Sequence, residues 1–237
     1  MKPSDEPNPF VYLGVGVVVA LVLHFGTCGI FEMGSHSFFH EGGGHALCGW
    51  LLGIPSIPAV TLTHMYEPST GLAVLVWAAI GFAAWKLRAH KPLVYFLAAA
   101  ALIYPLLAFT RASMPLVFAA GHLGEIGWAS FFFYRALRGG AFHEFERPLY
   151  AALAWPLFVQ NVTFFFGLAT SASKRVAYET IYLNEGIPND FIQFQTLTGF
   201  ALPRVAALMC LIALVLPPLG VFLGYRASKG PVEKLEE

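Results

Sequence analysis

Charge is what this chain has least of. Lys, Arg, Asp and Glu make up 12% of its 237 residues, about half of the roughly 25% with which a water-soluble domain covers its surface. That shortage excludes an ordinary soluble globule, since 57% of the residues are hydrophobic and the mean hydropathy is +0.64. Neither sign of charge is in excess, with 14 basic and 14 acidic side chains. The balance speaks against a nucleic-acid partner and against an acidic solvating tail. Aspartate is scarcer still, confined to Asp5 and Asp190. Cysteine is limited to Cys28, Cys48 and Cys210, which are odd in number, far apart and set in apolar runs. That spacing excludes a disulfide framework or zinc ribbon and reads as small buried hydrophobes.

What fills the space left by charge is a series of apolar runs, each near the 20 or so residues that cross the hydrocarbon of a bilayer. They fall near 10–31, 71–88, 92–110, 115–136, 148–170 and 199–225, with a shorter, more polar stretch at 36–53 that either crosses or dips in and returns. The expected fold is all-α, a polytopic membrane helix bundle of about six or seven transmembrane segments forming one membrane-embedded domain over 1–237. The first run is too long for a signal-peptide core, lacks a small-residue cleavage site and carries His24, so it reads as a retained membrane helix. The residues before Cys28 do not make a lipid-attachment box.

Basic residues collect in cytoplasmic loops. Lys86, Arg88 and Lys91 share one short turn, Arg135, Arg138 and Arg147 a second, and Arg226, Lys229 and Lys234 the tail. The proline-bearing loop at 53–71 has no Lys or Arg. It therefore belongs on the opposite, non-cytoplasmic side with the long hydrophilic loop at 171–198, which reads as an amphipathic connector, a surface helix or a lid. Short loops around a compact helical core fit a prokaryotic inner membrane.

Ionisable groups inside apolar segments are expensive, which makes each a functional candidate. One group is Phe38-Phe39-His40-Glu41-Gly42-Gly43-Gly44-His45-Ala46-Leu47. In a zinc protease helix, His-Glu-x-x-His places two imidazoles one turn apart on the metal, with the glutamate as general base. Here the second histidine comes one residue late, and five residues of regular helix leave His40 and His45 roughly 140° apart. Two arrangements restore a shared face. A π-bulge at the three glycines returns His40 and His45 to one side. A regular helix pairs Glu41 with His45, four apart.

The second group holds His122 and Glu125, three apart on one helical face in Gly121-His122-Leu123-Gly124-Glu125. A site of His40, His45 and one of His122 or Glu125, with water in the fourth position, has the open coordination of catalytic zinc. The plainer alternative is that these side chains hydrogen-bond helices together, as His24 and Asn161 do in this reading.

The stretch from Phe38 to Pro55 resembles the site-2 protease family of intramembrane zinc metallopeptidases, through Gly44-His45-Ala46-Leu47 and the Leu52-Gly53-Ile54-Pro55 ending. His40 and Glu41 align with that family's His-Glu-x-Gly-His once one glycine is counted as an insertion. The resemblance implies zinc on His40 and His45 and a water-activating role for Glu41. The family's third ligand is an aspartate in a Leu-Asp-Gly context. No membrane segment of this chain contains one, so His122 or Glu125 is expected to stand in. The expected activity is that of an intramembrane metal-dependent hydrolase acting on a membrane protein substrate. A relative that kept the fold and lost the protease fits the same residues. So do a haem-binding or non-catalytic subunit of a larger membrane complex, with partner subunits around it, and a proton relay through His122 and Glu125.

Overall fold

The computed structural model describes residues 8–27, 29–138, 143–185 and 189–229. They are almost wholly helical, as the composition predicts. In chain order the elements are α1 (Phe10–Gly26), α2 (Ile30–Ser37), a π-helix (Phe38–Ala46) and α3 (Leu47–Leu51). Next come a hairpin of β1 (Ser56–Pro58) and β2 (Thr63–Met65), α4 (Thr70–Lys86), α5 (Lys91–Ala108), α6 (Ser113–Arg138) and α7 (Glu146–Thr170). The chain closes with α8 (Ala172–Glu185), α9 (Asp190–Thr198) and α10 (Leu202–Ser228).

Four of these, α5, α6, α7 and α10, are long and apolar enough to cross a membrane, which makes the chain an integral membrane protein. α1 and α4 are equally apolar but 17 residues long, at the short end of what spans. The outer surface fits a hydrocarbon solvent. Tyr104 is the one buried residue of α5, while Leu102 is 79% and Phe96 68% exposed. Apolar surface on that scale needs lipid or protein against it.

One expectation is revised and two loops gain definite structure. The run at 10–31 is not one helix. α1 stops at Gly26, where Thr27 turns its hydroxyl back onto the Leu23 carbonyl at 2.6 Å. Gly29 then takes φ +80° and donates its N–H to the His24 carbonyl at 2.8 Å, a left-handed stop that a residue with a Cβ resists. The proline-bearing loop contains a hairpin with register Ser56↔Met65, Ile57↔His64 and Pro58↔Thr63. The hydrophilic loop at 171–198 carries two helices, α8 and α9. Cys28 and Asp5 lie outside the described residues, while Cys48 and Cys210 are free thiols, as their apolar settings suggest.

The chain divides into two compact units. The first is drawn from Met1–His36, Glu125–Lys174 and Pro203–Glu237. Small residues let its helices close on one another: Gly16 of α1 lies against Ala151 of α7, and Gly220 and Gly224 of α10 against Ser130 and Tyr134 of α6. The Ser130 hydroxyl also donates to the Leu216 carbonyl at 2.8 Å. At one end Arg147 donates to the Ala136 and Leu137 carbonyls at 2.9 and 3.1 Å. These are orphan acceptors near the C-terminus of α6. Its guanidinium carbon stands 3.8 Å from the centre of the Tyr12 ring, a cation over a π face. Glu144 accepts from the Tyr12 hydroxyl at 2.6 Å, and that bond, with Arg147 beside it, holds the exposed carboxyl below its ordinary range despite partial burial.

The second unit is drawn from Ser37–Gly124 and Arg175–Leu202. Its core gathers Leu52, Ile54 and Val117, with Met65, Leu107 and Leu116 packed around them. Gly53 makes the turn out of α3 at φ +80°, and Trp50 donates to the Ser56 carbonyl at 2.6 Å, tying that turn to β1. The hairpin packs on the π-helix.

Candidate metal centre

The three glycines that make His40-Glu41-Gly42-Gly43-Gly44-His45 an awkward α-helix are absorbed by a change of helix type. From Phe38 to Ala46 the backbone is a π-helix, and the Leu47 N–H reaches the Gly42 carbonyl five residues back. Hydrogen bonding at i→i+5 brings residues five apart onto one face. Glycine interior to a helix costs about 1 kcal/mol relative to alanine, so something must offset three of them. Part of the answer is the approach of α6. A Cβ at Gly44 would lie 2.5 Å from the Ala120 carbonyl oxygen and 2.6 Å from the Gly121 Cα, and one at Gly124 would lie 2.7 Å from the Gly44 Cα. Backbone meets backbone at this crossing, as small residues permit in membrane helices.

On the face thus formed, three donor atoms converge. His40 Nε2 is 3.2 Å from His45 Nε2, and both are 3.1 Å from Asp190 Oδ2. His40 and His45 are buried, and Asp190 is half-buried at the first position of α9. Burial alone would raise the Asp190 carboxyl. The hydrogen bonds and positive charge offered by the two imidazoles outweigh it and hold the group below the usual carboxylate range.

The tautomer of His45 sharpens the point. Its Nδ1 is 2.6 Å from the Val117 carbonyl, which can only accept, so Nδ1 carries the proton and donates it. Without a second proton or an ion at Nε2, His45 would present a lone pair to a carboxylate oxygen at contact distance. Two lone pairs facing each other require positive charge between them, either a proton or a metal ion. Anchoring the remote nitrogen of a ligating histidine on a carbonyl is also how metal sites fix the ring and its basicity. The spacing fits. Nitrogen and oxygen ligands at about 2.0–2.1 Å from an ion stand roughly 3.3 Å apart in a tetrahedron and roughly 2.9 Å in an octahedron. The observed 3.1–3.2 Å edges fall between the two. His40, His45 and Asp190 therefore have the donor set and spacing of a metal site.

The remaining candidates are placed as follows. Glu41 is buried and does not pair with His45. Its Oε2 accepts from the Thr63 hydroxyl at 2.7 Å, and its backbone carbonyl lies 3.1 Å from the same hydroxyl. β2 thereby orients the carboxylate next to His40 in the chain. His122 packs its ring edge-on to His40, with centroids 4.5 Å apart, and stacks on Phe191 at 5.4 Å. It contributes no atom to the trio of donors. Glu125 falls in the other unit, fully buried. There it pairs with His36 and accepts from Asn161 Nδ2 at 3.0 Å. The donor that joins both His40 and His45 in this trio is Asp190, which the sequence reading does not single out as a ligand. Sequence reasoning passes over Asp190 because it lies in no membrane-length run. The signal that could have found it is its rarity, as the only aspartate beyond Asp5.

Gly121 sets the distance from α6 to the imidazoles. A Cβ there would lie 2.5 Å from His45 Nε2 and 2.6 Å from His40 Nε2. Gly121→Ala is expected to push α6 or both rings out of place. We expect bound metal to fall well below one equivalent and stability to drop by about 1–3 kcal/mol, read by elemental analysis and thermal unfolding in detergent. Full metal occupancy in this variant would show that the site tolerates the methyl group.

Comparison with protein-family models, with curated proteins and with solved structures finds no match for this chain.

Proposed function

We propose that this protein is an intramembrane metal-dependent hydrolase, most simply a metallopeptidase of the site-2 protease kind. The observation that carries the reading is the triangle of His40 Nε2, His45 Nε2 and Asp190 Oδ2 with Glu41 adjacent in the chain. Two imidazoles and one carboxylate suit zinc, and three protein ligands leave a fourth position open, the mark of a catalytic site. Zinc bound there would supply Lewis acidity and a water whose pKa is brought towards about 7.

The chain's own residues have separate tasks. Val117 holds the His45 tautomer through its carbonyl. Thr63 holds the Glu41 carboxylate, which accepts the proton of the attacking water and returns it to the leaving amine. The glycine-lined crossing of α6 excludes bulk from the back of the site. The apolar exterior supports a substrate that is itself embedded in the bilayer, presented alone or by partner subunits. In this reading α1 and α4 also cross the membrane, giving at least six spans, and a prokaryotic inner membrane remains the proposed location.

Haem finds less support from the same atoms. The sequence reading places haem on His24, His45 and His122, but His45 Nε2 already faces His40 Nε2 at 3.2 Å and Asp190 Oδ2 at 3.1 Å.

Elemental analysis and an optical spectrum of the purified protein test the reading together. One equivalent of zinc without a Soret band is the expected result. A Soret band, or protein that neither carries zinc nor takes it up after chelation and readdition, sinks it.

A further inference from the structure

Asp190 is the only donor of the trio supplied from outside the π-helix, and α9, which it begins, is nine residues long. The short helix does not fix it unaided, because Asn189 at the N-cap position makes no side-chain cap. Asn189 Nδ2 donates instead to the backbone carbonyl of Tyr178 at 3.0 Å. On the other side of Asp190, the Phe191 N–H donates to the Tyr178 hydroxyl at 3.3 Å. That N–H belongs to the first turn of α9, where amides have no acceptor within the helix. The residues flanking Asp190 are thus both tied to a single residue of α8. Phe191, 1% exposed, completes the support by stacking on His122.

We propose that Tyr178 is a positioning residue for the metal centre, bracketing Asp190 between two hydrogen bonds so that Oδ2 stays within reach of both imidazoles. A ligand must be held to within about 0.5 Å of its place for a metal site to work. Asp190 is the first residue of a nine-residue helix whose N-cap residue makes no side-chain cap. Burial, with the negative Asp190 nearby, pushes the Tyr178 phenol well above its ordinary range. The hydroxyl therefore stays a neutral oxygen that accepts from Phe191 without adding charge beside the carboxylate.

This inference rests on the metal reading of the site, and the test separates the two. Full-length protein in detergent is stripped with a chelator and titrated with Co²⁺, following the visible d–d absorption and the dissociation constant by chelator competition. Tyr178→Phe keeps the ring and removes the acceptor for Phe191. It is expected to weaken Co²⁺ binding about 10- to 100-fold and to alter the d–d band, while the unfolding transition of the stripped protein stays where it is. Asn189→Ala, which removes the other tie, is expected to act in the same direction. Wild-type affinity and an unchanged spectrum in Tyr178→Phe would overturn the proposal. A loss of affinity matched by an equal loss of stability in the stripped protein would overturn it as well. Wild-type protein that binds neither cobalt nor zinc would remove the metal reading itself.

Discussion

Glu41→Gln is expected to lower turnover of a membrane-embedded peptide substrate by about 100- to 10,000-fold while leaving bound zinc at the wild-type level. The amide keeps the size of the carboxylate, and its oxygen can still accept from the Thr63 hydroxyl that holds Glu41 at 2.7 Å, so the fold around it has little reason to change. What it loses is the ability to take a proton. Glu41 is not one of the three converging donors, so metal content and activity should separate. Turnover by gel-based cleavage and zinc by elemental analysis, on the same preparation, decide the matter. Loss of both together would make Glu41 a ligand, and retention of activity would end its role as base.

A second large effect concerns the third ligand. Asp190→Ala removes one corner of the donor triangle and the only negative charge in it. Tight zinc binding should disappear, and activity with it. His122→Ala removes a ring that packs beside His40 and Phe191 and should leave zinc at close to one equivalent, at a cost in stability typical of lost packing. Measured side by side, the two variants distinguish the aspartate from the histidine as ligand. The opposite ranking, zinc lost with His122 and kept without Asp190, would return the site to the arrangement that spacing along the chain suggests.

How much of this is legible in the amino-acid sequence depends on the distance over which each feature is encoded. The apolar runs are local, and helices occupy all six of them, the conformation in which an apolar segment satisfies its own backbone hydrogen bonds. Their ends are less legible. The stop at Gly29 depends on a left-handed turn, and nothing in the surrounding apolar residues announces it. The pairing of His40 with His45 is half legible. Three glycines signal an irregular helix, and a shift to i→i+5 hydrogen bonding is one of two ways to use them. The choice is made by α6, whose Gly121 and Gly124 admit the π-helix at backbone contact, far along the chain from it. Asp190 is hidden for the same reason. Its partners are 145 and 150 positions away, and no periodicity within residues 171–198 points to them. Thr63 is of this kind too, since a three-residue strand carries almost no pattern of its own.

The π-helix also bears on how this segment tolerates changes in length. In an α-helix, adding a residue rotates everything downstream by about 100°, which would swing Leu47, α3 and the hairpin away from their neighbours. Where the helix widens to i→i+5, an added residue is taken up locally, and the chain beyond Ala46 keeps its facing. The run Gly42-Gly43-Gly44 thus works as an expansion joint. A chain with one glycine fewer could close to ordinary α-helical spacing between the two histidines while Trp50, Gly53 and the Glu41-binding Thr63 kept their places.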